Sequence, residues 1–106
     1  MPKYLWEVSY TAEGMKGMLK EGGSSRRTMV EKLVQNLGGT LEGFYFAFGE
    51  NDVYVIADMP SNVDTAAVSM TVGAAGAATA KTVVLMSPEE IDEATKKTVE
   101  YRAPGS

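Results

Sequence analysis

The stretch Thr40–Pro60, TLEGFYFAFGENDVYVIADMP, constrains the fold of this chain more than any other. It reads as two β-strands joined by a tight loop, Gly49-Glu50-Asn51-Asp52. Phe44, Tyr45, Phe46, Phe48, Val53, Tyr54, Val55 and Ile56 are aromatic or β-branched, the types that suit a pleated, packed surface. A strand with one wet face alternates apolar and polar residues. The run Phe44 to Phe48 is apolar at every position, so both faces of this strand are expected to be covered. An antiparallel hairpin in a single layer ordinarily leaves one face in water. The second cover is then expected from another copy of the chain or from a ligand cavity.

The 106 residues make one domain, with residues 3–86 as its body, 87–101 as a C-terminal helix and 102–106 as a frayed tail. Net charge is -4, and the only adjacent basic pairs are Arg26-Arg27 and Lys96-Lys97. Nucleic acid is not an expected partner, because phosphate binding needs clustered Lys and Arg. There is no cysteine and no histidine. Disulfides, thiolate metal sites, a thiol nucleophile, an imidazole base and a histidine haem ligand all drop out. Neither a metal nor a cofactor is expected. The N-terminal MPKYLWEVSY lacks a signal-type apolar region, and no stretch reaches membrane-spanning length, so no membrane partner and a cytoplasmic location are expected.

Lys3–Tyr10 reads as the first strand, with Tyr4, Trp6, Val8 and Tyr10 on one face and Lys3, Leu5, Glu7 and Ser9 on the other. Thr11 can cap a helix that ends at Glu21-Gly22-Gly23, and Ser24 or Ser25 can cap a second piece that stops at Gly38-Gly39. The first crossover is therefore a broken helix with GGSSRR at the break. Glycines, serines, Arg26 and Arg27 at a helix start could together hold a carboxylate or phosphate; plain capping with a solvated Arg pair is the simpler reading.

After the hairpin, Ser61–Asp64 reads as a capping box opening a helix to about Ala75, with Val63, Ala66, Ala67, Met70 and Ala74 on one face. Its alanines and Gly73 and Gly76 suggest that it lies tight on the sheet. Thr79–Met86 is the fourth strand. Ser87-Pro88-Glu89-Glu90 starts a last helix expected to reach about Tyr101 and to pack near its own body or a neighbouring subunit. The order β-α-β-β-α-β plus a helix gives an α+β, ferredoxin-like fold: a four-stranded antiparallel sheet, helices on one face, strands one and three central.

Several short runs carry a family likeness. They are Tyr10-Thr11-x-x-Gly14, Arg26-Arg27, Leu37-Gly38-Gly39, Phe44-Tyr45-x-x-x-Gly49-Glu50-x-Asp52, and Thr82 running into Ser87-Pro88-Glu89-Glu90. In this order and spacing the chain resembles the GYD-domain family of the dimeric α/β-barrel group. The resemblance implies a homodimer or larger, with open sheet faces packed into a barrel, and brings no established activity. The tyrosine that names the family would fall at position 51, where this chain has Asn51, a residue suited to a tight turn.

Without His or Cys, proton transfer would fall to carboxylates, Lys, Tyr or Arg. Glu7, Asp58 and Lys81 are the candidate catalytic residues, with a structural Glu7–Lys81 ion pair as the simpler reading. Trp6, Tyr4, Tyr45, Tyr54, Arg26 and Arg27 are the candidate ligand-binding residues. The reading placed first is a homo-oligomer binding a small apolar or aromatic molecule in a cavity beside the sheet. The alternatives are a cofactor-independent enzyme (proton-transfer, isomerase or monooxygenase-like) and a ligand-free assembly or regulatory unit.

Overall fold

A computed structural model describes residues 1–106. The strands are β1 (Lys3–Tyr10), β2 (Thr40–Phe46), β3 (Val53–Asp58) and β4 (Ala78–Leu85), and the helices are α1 (Ala12–Glu21), α2 (Gly23–Asn36), α3 (Asn62–Ala75) and α4 (Pro88–Thr95). The sheet has the order β2-β3-β1-β4, and every neighbouring pair is antiparallel. This is the expected α+β arrangement with β1 and β3 at the centre. None of its helices is long and apolar enough to cross a membrane.

Period-two alternation sorts the sheet residues as the sequence predicts. Tyr4, Trp6, Val53, Val55 and Ala57 point to the helical side and form the core with Val34 and Met59. Leu5, Glu7, Ser9, Tyr54 and Ile56 point to the other side, which no helix covers, and stay half-buried. Within one chain the hairpin is therefore not covered on both faces: Tyr45 is 64% exposed and Phe46 40% exposed. Phe44 and Phe46 both turn toward the helices and meet edge to face at 5.5 Å.

The break between α1 and α2 falls at Gly22, whose φ of 87° suits glycine and ends α1 with its N–H on the Met18 carbonyl. Gly22 itself is the N-cap of α2, with no side-chain cap. Ser24 and Ser25 lie inside the first turn instead of capping it, because the tight glycine junction starts α2 earlier than the serines; Ser25 Oγ bonds Glu21 at 3.1 Å.

The inward face of α3 also differs from the expectation. Val63 and Met70 are 78% and 73% exposed, while Thr65 is buried. Thr65 and Ser69 share the inward face with Val68 and Val72, and both hydroxyls find hydrogen-bond partners there. Trp6 Nε1–H donates to Ser69 Oγ at 3.1 Å, Ser69 Oγ lies 2.9 Å from Thr82 Oγ1, and Thr65 donates to the Ser61 carbonyl at 2.9 Å. Gly73 faces open space, so close approach to the sheet is not its role. The Ser61 cap is as expected, taking a bond from the Asp64 N–H.

The close-approach glycine is Gly14. A Cβ there would lie 1.9 Å from the Ala77 carbonyl oxygen. Next to it, Thr11 N–H donates to that same oxygen at 3.0 Å and Thr11 Oγ1 donates to the Gly76 carbonyl at 3.0 Å. Tyr10-Thr11-x-x-Gly14 thus clamps the start of α1 onto the α3–β4 turn.

The capping box of α4 is present, but the helix stops at Thr95 rather than near Tyr101. The β-branched Thr98 and Val99 disfavour continuation, and no packing offsets them. From Pro88 to Ser106 every residue is exposed. The chain exposes 7390 Å², roughly 1,600 Å² more than a compact monomer of its mass would by size scaling. Its radius of gyration, 16.9 Å, likewise exceeds the roughly 13 Å of a compact domain of this length.

Candidate functional site

The sheet presents two places with chemical character, one on each face. On the helical side, α2 and α3 roof the sheet without closing over its centre. The gap is an apolar cavity of about 80 Å³, floored by Trp6, Val8, Val53, Val55 and Ala80 and roofed by Met29, Val30, Leu33, Val68 and Val72. Phe44 and Tyr10 complete its walls, and Arg26 is the one charged residue of the lining. Arg26 reaches it because the Gly22 break places the first turn of α2 over the sheet end that carries Tyr10 and Ala78. The guanidinium is 3.7 Å from the Glu21 carboxylate, a loose, partly exposed pair that leaves most of its donors free.

On the open side, a polar cluster gathers around Asn51, which is 5% exposed. Asn51 Nδ2 donates to Glu7 Oε2 at 2.9 Å and to the Tyr54 hydroxyl at 3.4 Å, and Asn51 Oδ1 accepts from Ser9 Oγ at 3.2 Å. Asp52 anchors the loop beside it: its carboxylate accepts from Tyr10 N–H at 2.8 Å and its own N–H donates to the Val8 carbonyl at 2.8 Å. No residue other than glycine has a positive φ, so Asn51 is not there to tolerate a strained turn. Its side chain ties the hairpin loop to β1. Sequence reasoning missed this, since an Asn beside Asp52 in a loop carries a turn signal, and nothing local says that the side chain points inward onto another strand.

The candidate residues separate between these places. Trp6 and Arg26 meet at the cavity. Tyr4 does not: it is 1% exposed in the core, and its hydroxyl donates to Asn62 Oδ1. Tyr54 and Tyr45, cross-strand partners, stand on the open face. Arg27 lines a shallow cleft at the β2 edge with Gly23, Ser24, Phe44 and Phe46. Glu7 and Lys81 are opposed across β1 and β4, as the topology predicts, yet they form no ion pair. The Glu7 carboxylate takes Asn51 as its partner instead, because the hairpin loop closes over that end of β1. Asp58 is held by Lys3 at 3.0 Å, and Lys3 also pairs with Glu42, an arrangement that bridges three strands at the sheet end.

The runs that carry the family likeness now have structural partners in Thr11, Gly14 and Asp52. A family model, the GYD domain, matches residues 4–95. The chain belongs to the GYD-domain family. No curated protein and no solved structure matches it. The match runs from the second residue of β1 to the end of α4 and leaves out residues 1–3 and 96–106. This GYD domain has an apolar cavity on its helical side and, on its open side, a half-buried carboxylate and phenol beside a buried amide.

Proposed function

We propose that this GYD domain binds a small apolar or aromatic molecule in the cavity between the sheet and α2/α3. One observation carries the reading: of 15 residues that line the cavity, 14 are hydrophobic, and the remaining one is Arg26. An apolar lining of this kind holds water poorly and favours hydrocarbon. At about 80 Å³ it is roughly half the size of a cavity that accepts benzene, so it admits a branched alkyl group or a ring edge. The rest of the ligand leaves past Arg26, where a carboxylate finds a guanidinium able to donate two parallel bonds. The best-fitting class is therefore a short branched or aromatic carboxylic acid. Filling the void is worth up to about 2 kcal/mol of folding stability.

The test is thermal melting with isovalerate, benzoate, toluene and acetate. Isovalerate or benzoate raises the Tm, toluene raises it less, and acetate leaves it unchanged. Val68→Phe, which fills the seam between α2 and α3, removes the shift, and Arg26→Gln weakens it for the acids alone. A folded wild-type domain whose Tm responds to none of the apolar probes at millimolar concentration overturns the reading.

A second reading concerns assembly, and the open face favours it. Leu5, Ile56 and Leu85 stay half-buried there and Val83 is 36% exposed, around the polar Asn51 cluster. A second copy laid face to face would cover these residues and give the chain itself as partner.

A further inference from the structure

Arg26 alone among the cavity residues also belongs to the break between α1 and α2, and there it already has a carboxylate beside it. Glu21 ends α1, and the φ of 87° at Gly22 turns the chain so that the Glu21 side chain reaches the first turn of α2. Its two oxygens are held differently. Oε1 accepts from Ser25 Oγ at 3.1 Å. Oε2 lies 3.7 Å from Arg26 Nη1, too far for a hydrogen bond. α2 has no acidic residue in its own first turn and no side-chain cap, so Glu21 supplies the negative charge at this helix start. Glu21 does not line the cavity, and Arg27 lines the cleft at the β2 edge instead.

We propose that Glu21 is a displaceable internal counter-ion of Arg26, and that it sets how well the cavity takes acids compared with neutral molecules of the same shape. The proposal rests on the carboxylic-acid reading of the cavity given above. A ligand whose apolar end is seated against Trp6 and Val68 brings its carboxylate to Arg26. Two carboxylates then share one guanidinium, and their like charges oppose each other. Glu21 makes no hydrogen bond to Arg26, so the guanidinium N–H groups are there for the incoming carboxylate to take. The resident pair is loose and partly exposed, so it yields at small cost, and the Glu21 carboxylate moves toward water. A carboxamide of the same shape brings no negative charge, and Glu21 does not resist it. Glu21 is thus close enough to compete with an acid and held weakly enough to give way to one.

The experiment titrates wild type and Glu21→Gln with isovalerate, isovaleramide and toluene. The readout is the fluorescence of Trp6, the only tryptophan and part of the cavity floor. The change is conservative, leaves Gly22 in place, and circular dichroism verifies the fold. Removing the Glu21 charge tightens isovalerate about threefold, the size expected of a partly exposed pair, and leaves isovaleramide and toluene where they were. A purely structural role at the break would move all three together. Isovalerate binding that is unchanged or weaker in the variant, or that moves in step with isovaleramide, overturns the proposal; the cavity reading then stands as long as toluene binds. Failure of all three probes to bind either protein overturns both.

Discussion

At the scale of single residues, Asn51 is the least replaceable polar side chain of the open face. It is buried, and its amide donates to Glu7 and Tyr54 while accepting from Ser9. Asn51→Ala leaves the half-buried Glu7 carboxylate without its donor, a loss of about 1–3 kcal/mol measurable by urea unfolding. Asn51→Asp is expected to cost more than the alanine change, because a second carboxylate then faces Glu7 at hydrogen-bond distance. A double-mutant cycle with Glu7→Gln, which keeps an acceptor but removes the charge, should show the aspartate penalty shrinking. None of this was legible in the chain at position 51. A turn-type residue in a loop is identical in sequence whether its side chain faces water or a neighbouring strand.

At the scale of elements, two glycines in helices are predicted to respond oppositely to the same change. Gly14→Ala forces the first turn of α1 away from the Ala77 carbonyl and breaks the Thr11 clamp, so stability falls by about 1–3 kcal/mol. Gly73→Ala, in α3 with open space around it, raises stability by about 0.5–1 kcal/mol through the lost flexibility of the unfolded chain. Thermal melting of both variants checks the signs. The elements themselves were largely readable. Alternation set the faces of β1, glycine set the α1–α2 break, and Ser61 and Ser87 set two helix starts. The inward face of α3 was not readable, because the apolar pattern read from Val63 and Met70 misses the face of Thr65, Val68, Ser69 and Val72, where two hydroxyls sit inward by bonding the Ser61 carbonyl, Trp6 and Thr82. The stop of α4 at Thr95 was missed for a related reason: the pattern shows where a helix can run, and packing decides where it does. Of the candidate site, Trp6 and Arg26 were found from residue type and position, whereas the cavity depends on how far apart α2 and α3 stand.

At the scale of the whole molecule, the surplus exposed surface divides between the uncovered sheet face and the protruding C-terminal segment. Face-to-face association predicts that Ile56→Asp, at the centre of the open face, lowers the assembly mass in light scattering while circular dichroism stays unchanged. The same mass in the variant and in wild type would rule that interface out. The cavity beneath α2 and α3 has a mechanical consequence for the whole domain. Unfolding eliminates whatever part of this space water does not already fill in the native chain, so the unfolded state occupies less volume. The 80 Å³ sets an upper bound of about 50 mL/mol on that change, within the range that pressure acts on. The domain is therefore soft to hydrostatic pressure, and a molecule seated against Trp6 would stiffen it by occupying the space that pressure would otherwise collapse.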